Sequence, residues 1–154
     1  MMGASKLNAH SGLMQLAVVV IGITLLCGCS SVSSLFFGPK TRVWVNNNLY
    51  PGTDMFLHCK SKDDDLGVHQ IAYDTGYSWS FHDDFFDRTK FVCDIWWFDP
   101  NNGGKLVNGT DLNIYKSYRD ITECGHKCFR FVKPDGVYFL AFQKMELKYP
   151  WPKQ

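Results

Sequence analysis

Net charge is the first thing this sequence lacks. Its 154 residues carry 16 Lys and Arg against 15 Asp and Glu, a formal charge of +1. Without Lys6 each sign counts 15. Nothing in that balance drives binding to a phosphate backbone, which excludes a nucleic-acid function. A long apolar run is missing too. Leu13 to Leu26 is interrupted by Gln15, Gly22 and Thr24, and about 14 such residues fall short of the roughly 20 a membrane-crossing helix needs. No basic stop-transfer cluster follows, so no stable membrane anchor is expected. Internal repeats are absent. None of His58, His69, His82 and His126 sits beside a serine or cysteine nucleophile in a known local pattern.

What the leader region does have is Lys6 as its only strong charge, the short apolar run, then Gly28, Ser30, Ser31, Ser33 and Ser34. That order predicts a cleaved secretory signal peptide over residues 1–33, with cleavage before Ser34 or, alternatively, before Ser30. Residues 34–154, roughly 120 of them, then form a single domain of common size. Either cut removes Cys27 and Cys29 and leaves Cys59, Cys93, Cys124 and Cys128, an even number for an oxidising compartment. A zinc reading of Cys124-Gly125-His126-Lys127-Cys128 needs a second close pair, and Cys59 and Cys93 lie far apart in sequence. Two disulfides are expected. Of the three possible pairings, the nested one (Cys59 with Cys128, Cys93 with Cys124) is preferred, because longer loops restrain the unfolded chain more.

Aromatic and β-branched runs then recur with turn residues between them, the rhythm of an all-β, two-sheet antiparallel sandwich of about eight strands. The expected strands are Thr41–Asn47, Asp54–Lys60, Gly67–Ala72, Tyr77–Phe81, Lys90–Phe98, Lys105–Val107, Asp111–Tyr115 and Gly136–Lys144, with a further short one at Cys128–Val132. Ser117–Lys127 has room for one short helical turn. Alternation puts Phe91, Cys93, Ile95 and Trp97 on one face, and Met55, Leu57 and Cys59 on another, so both cysteines face a core. Val137–Phe142 is apolar on both faces, which suits a central strand or one that meets a partner, and from Glu146 the proline-bearing tail Leu147–Pro152 is not expected to extend a sheet far.

The order of residues from Leu57 to Trp97 carries more. His58-Cys59-Lys60-Ser61-Lys62, Asp63-Asp64-Asp65-Leu66-Gly67, Trp79-Ser80-Phe81, Thr89, and Phe91-Val92-Cys93 with Trp96 follow one another at set spacing. Val43-Trp44-Val45-Asn46-Asn47 precede them, and Arg119-Asp120, Cys124, Cys128 and Asp135-Gly136 follow. With these residues the chain resembles the plant self-incompatibility protein homologue family. The resemblance implies a secreted, non-enzymatic, disulfide-stapled β-sandwich acting as a small extracellular ligand. Some family members are pistil determinants of self-incompatibility, read by a pollen receptor. The family usually shows a tryptophan two residues after the second clustered cysteine, and here that position is Arg130, flanked by Phe129 and Phe131.

Antiparallel succession brings Ser61–Leu66 and His82–Arg88 to one end, and with them Asp63, Asp64, Asp65, Asp83, Asp84 and Asp87, so that end is expected to be acidic. The acidic triplet lacks the alternation of a calcium loop, so neither metal nor cofactor is expected. Lys62, Asp63, Asp64, Asp65, Asp83 and Asp84 are instead predicted to contact a cell-surface protein receptor, charge setting specificity and on-rate. The alternatives are a carboxylate-dependent hydrolase or a carbohydrate-binding module, the latter with Trp44, Trp79, Trp96, Trp97, Trp151 and Phe85-Phe86 as a stacking platform. Asn108-Gly109-Thr110 is an N-glycosylation acceptor, expected in an Asn-Gly turn. A monomer is expected.

Overall fold

The structure, a computed structural model, describes residues 38–152; the expected leader lies outside them. Among the described residues nine strands form: β1 (Lys40–Asn47), β2 (Met55–Lys60), β3 (Asp65–Ile71), β4 (Gly76–His82), β5 (Lys90–Asp99), β6 (Lys105–Lys116), β7 (Lys127–Lys133), β8 (Gly136–Ala141) and β9 (Lys144–Pro150). A two-turn helix, α1 (Ser117–Glu123), links β6 to β7, where the sequence left room for a short helix. One sheet has the order β4-β1-β7-β8-β9 and the other β3-β2-β5-β6. The result is the expected all-β sandwich with its inner faces forming the core. Val43 and Val45 from β1, Met55 and Leu57 from β2, and Ile95 and Trp97 from β5 are all buried. Their alternation with outward-facing neighbours is what a two-sheet core demands. β8 lies between β7 and β9, the central position its two apolar faces suggested.

Four local expectations are corrected. First, β1 and β7 run parallel, with Val43 opposite Cys128 and Val45 opposite Arg130, so the sandwich is not wholly antiparallel. Helix α1 and the hairpins before it supply the long crossover that a parallel pair needs.

Second, Lys105–Val107 and Asp111–Tyr115 are not separate strands but parts of β6, and Asn108-Gly109 is not a turn. The irregularity there is a bulge opposite Asp94. Asp111 adopts a left-handed backbone, φ 54°, and its N–H donates to Asp94 Oδ1 at 2.9 Å. Gly109 serves close packing instead, since a Cβ there would meet Trp151 Cζ3 at 2.9 Å.

Third, Gly136–Lys144 splits into β8 and β9 at a two-residue hairpin. Phe142 and Gln143 both take left-handed backbone, φ 48° and 63°, as a type I′ connection requires. Contrary to the expectation for the tail from Glu146, residues through Pro150 extend the sheet as an edge strand, where a missing proline N–H is tolerated.

Fourth, the cysteines pair as neighbours, Cys59–Cys93 and Cys124–Cys128, not in the nested arrangement. Register decides it. Cys59 and Cys93 are direct cross-strand partners on the core face of β2 and β5, with Cα atoms 4.0 Å apart. Cys124 and Cys128 flank the turn that carries α1 into β7, where Gly125 takes φ 61°.

Arg130 occupies the position where the family pattern has tryptophan, and it is buried without loss of pairing. Its Nη2 lies 3.0 Å from Asp120 Oδ1, its Nε donates to the Ile114 carbonyl at 2.9 Å, and its guanidinium sits 3.8 Å from the Phe139 ring centroid. The flat guanidinium thus packs on the face of the Phe139 ring while its N–H groups keep their partners.

Candidate functional site

The β2–β3 and β4–β5 connections meet at one end of the sandwich and wall an open cleft of about 830 Å³. Each connection is held by its own short-range bonds. In the first, Ser61 Oγ accepts from the N–H groups of Asp63 (3.2 Å) and Asp64 (2.9 Å), and Ser61 N–H donates to the Asp64 carbonyl at 2.7 Å. This ties down the backbone and leaves the Lys62, Asp63 and Asp64 side chains exposed.

Asp65 already belongs to β3 and does not line the cleft. It accepts from Gly67 N–H at 2.8 Å and lies 2.7 Å from His58 Nε2. These partners, the Gly67 N–H foremost, hold its carboxyl below the usual aspartate range.

The second connection has an inward and an outward half. Asp83 turns inward, and its carboxylate accepts from Thr41 Oγ1, from Tyr115 Oη at 2.8 Å and from Ser117 Oγ. One carboxylate thereby joins β1, the end of β6 and the start of α1 to this loop. Burial, with the neighbouring Asp83 charge adding to it, pushes the Tyr115 phenol up. Asp83 was expected among the receptor contacts, but its carboxylate is committed to these three hydroxyls.

Asp84, next in sequence, lies on the cleft side. It accepts from Arg88 Nε at 2.7 Å, and its own N–H donates to Thr89 Oγ1 at 2.7 Å. The Arg88 bond is the main cause of its lowered pKa. Asp87 N–H closes a turn on the Asp84 carbonyl at 2.9 Å, with Asp87 at φ 53°. At the tip stand Phe85 and Phe86, 92% and 68% exposed. Their rings meet edge to face at 5.3 Å, and the Arg88 guanidinium lies 4.9 Å from the Phe86 centroid.

The cleft is not the acidic end that the aspartate count suggested. Lys60, Lys62, Arg88 and Lys90 line it together with Asp63, Asp64 and Asp84, so cations outnumber carboxylates there. Lys60 and Lys90 belong to strands rather than loops and were not among the expected site residues. Their place follows from facing ends: β2 ends at Lys60 and β5 begins at Lys90. The signal that could have found them is the lysine at each strand end beside a loop already singled out.

Chemically, the site offers a cleft of mixed charge with two exposed phenyl rings on the loop that walls it. Asp84 and Asp65 are held below their ordinary range, opposite to the raised carboxyl that a glycosidic general acid requires. Among the described residues no group of three or more His, Cys, Asp or Glu side chains could hold a metal ion, and no helix is long and apolar enough to cross a membrane. Of the tryptophans proposed as a platform, Trp79 and Trp97 are buried. Asn108 is exposed on β6.

Comparison with known proteins places the chain. Residues 42–151 match the family described as plant self-incompatibility protein S1. S-protein homolog 29 of Arabidopsis thaliana is 33% identical over 86% of this chain and 93% of its own length. S-protein homolog 8 of the same plant is 32% identical over 87% and 94%, and S-protein homolog 2 is 33% identical over 80% and 76%. A solved structure from plants, described as an SPH (Self-Incompatibility Protein Homologue) protein of a family of small, highly stable, secreted proteins, aligns over 77% of this chain and 99% of its own, with 18% identity and a TM-score of 0.47.

Proposed function

The chain belongs to the plant self-incompatibility protein S1 family, and from that membership we propose that it is a small secreted ligand, read by a cell-surface protein receptor through the loops around the cleft. The observation that carries this reading is the convergence of two self-braced loops, Ser61–Asp64 and Asp84–Thr89, on one cleft of mixed charge. A ligand needs a surface whose shape survives in the free state, because ordering it on contact would cost affinity. The Asp84–Arg88 bond, the Asp84–Thr89 bond and the inward Asp83 supply that bracing.

The contact residues of this reading are Lys62, Asp63, Asp64 and Asp84, joined by Phe85, Phe86 and Arg88. Exposed aromatics and arginine are the side chains that most often dominate protein interfaces. Asp65 acts at the rim through His58, and Asp83 acts from beneath as the loop's anchor. The two intact disulfides suit an extracellular location.

Labelled, oxidised protein applied to intact plant cells tests the reading. Saturable binding that is abolished by mild protease treatment of the cells is the expected result. Binding that survives protease but is competed by soluble glycans would overturn it in favour of carbohydrate recognition.

A further inference from the structure

The outer face of the four-stranded sheet carries a row of direct cross-strand partners: Gln70 on β3, Phe56 on β2, Trp96 on β5 and Asn108 on β6. Their sequence neighbours Leu57, Ile95, Trp97 and Val107 point into the core, so alternation sends the whole row outward. Phe56 and Trp96 stack, ring centroids 5.5 Å apart at 11°. One step along the same strand pair, Phe98 faces Leu106, 55% and 50% exposed. This side of the sandwich is therefore an aromatic and aliphatic surface, half-buried at Phe56 and Trp96 and exposed at Phe98 and Leu106. β6 is the edge strand, and Asn108 opens the acceptor Asn108-Gly109-Thr110 with both Asn108 and Thr110 exposed.

We propose that Asn108 carries an N-linked glycan which folds back over Trp96 and Phe56 and shields this face. Direct cross-strand partners have Cβ atoms about 4.5–5.5 Å apart, so the first N-acetylglucosamine on the Asn108 amide lies beside the Trp96 ring. The C–H face of a pyranose is apolar and its hydroxyls point outward from the ring edge. Laid on Trp96, it covers the indole and presents hydroxyls to water. The same glycan hangs beside the edge strand β6, where a bulky hydrated group opposes association with a second sheet.

The attachment needs a lipid diphosphate-linked oligosaccharide as donor. The Asn108 amide nitrogen bonds to the anomeric carbon of the sugar, the bond from that carbon to the diphosphate breaks, and the amide loses one proton. Because that donor works in the secretory lumen, the proposal rests on the reading of the chain as secreted.

The test expresses the full chain in plant cells and compares wild type with Asn108→Gln, Thr110→Ala and Trp96→Phe. Intact mass of protein from the medium, binding of an apolar fluorescent dye, and tryptophan quenching by acrylamide are measured before and after glycosidase release. Expected are sugar mass on wild type and Trp96→Phe only, a severalfold rise in dye fluorescence on release, and a rise in quenching on release that Trp96→Phe lacks. Protein in the medium without sugar mass would overturn the proposal and leave the secretion reading standing. So would release that changes neither dye binding nor quenching. Failure to reach the medium would overturn both.

Discussion

Arg130 and Asp120 form an ion pair at 3.0 Å with both side chains almost wholly out of water. The pair fixes α1 against β7 and β8. Asp120 also accepts from Lys116 N–H at 2.7 Å and from Arg119 Nη2 at 2.7 Å, so its carboxylate caps the helix start while neutralising the core cation. Burial pulls the Arg130 guanidinium down to about 10, against the opposing influence of Asp120, and it stays charged at neutral pH.

Removing one partner of this pair leaves a buried charge uncompensated. Asp120→Asn is expected to destabilise the fold by about 3–5 kcal/mol, read from the midpoint of urea unfolding. Arg130→Trp, which removes the buried cation and keeps a flat side chain, combined with Asp120→Asn, should recover most of that loss. A double variant no more stable than Asp120→Asn would show that the aspartate acts through the helix start rather than through Arg130.

The two disulfides should contribute unequally. Loop entropy assigns about 4 kcal/mol to a bridge spanning 34 positions and about 2 kcal/mol to one spanning 4. Replacing Cys59 and Cys93 together by alanine should therefore lower stability more than replacing Cys124 and Cys128. Peptide mapping of the native protein should recover Cys59 linked to Cys93, and a Cys59–Cys128 peptide would contradict the cross-strand register.

The β8–β9 hairpin stores backbone strain that glycine would relieve. A non-glycine residue in the left-handed region costs on the order of 1 kcal/mol or more, so Gln143→Gly should raise the thermal midpoint by a few degrees. An unchanged or lower midpoint would mean that the Gln143 side chain contributes contacts which offset the strain.

Tyr115 makes stability fall in alkali. Its phenol is raised above the ordinary value of 10.0 in the folded protein, so the folded state keeps a proton that the unfolded state releases. Its contribution is complete below pH 10 and is lost as pH rises toward the folded value. Tyr138, raised by its bond to Asp135, acts in the same direction. Tyr115→Phe should cost about 1 kcal/mol at pH 7 through the lost bond to Asp83 and flatten the decline above pH 10. Denaturant unfolding at a series of pH values measures both.

The core was legible in the sequence because alternation is local: Met55, Leu57 and Cys59, and Phe91, Cys93, Ile95 and Trp97, face inward as their spacing dictates. The meeting of the two loops also followed from strand succession. What could not be read locally was the use of single residues over distance. Phe142-Gln143 carries no turn residue, and the hairpin exists because β8 and β9 pair around it. Gly109 looked like half of an Asn-Gly turn, yet it answers to Trp151, which is far along the chain. Asp83 and Asp84 are equivalent in sequence, and only Thr41, Tyr115 and Ser117 on one side and Arg88 on the other separate anchor from surface.

The central claim, that a receptor reads the loops around the cleft, is tested most directly by a binding isotherm on intact plant cells. It compares wild type with Phe85→Ala/Phe86→Ala and with Lys62→Ala, each checked for an unchanged thermal midpoint. Loss of two exposed aromatic anchors should weaken saturable, protease-sensitive binding by roughly 30-fold or more, and Lys62→Ala should act mainly on the association rate and its salt dependence. Wild-type affinity in the Phe85→Ala/Phe86→Ala protein would contradict the account.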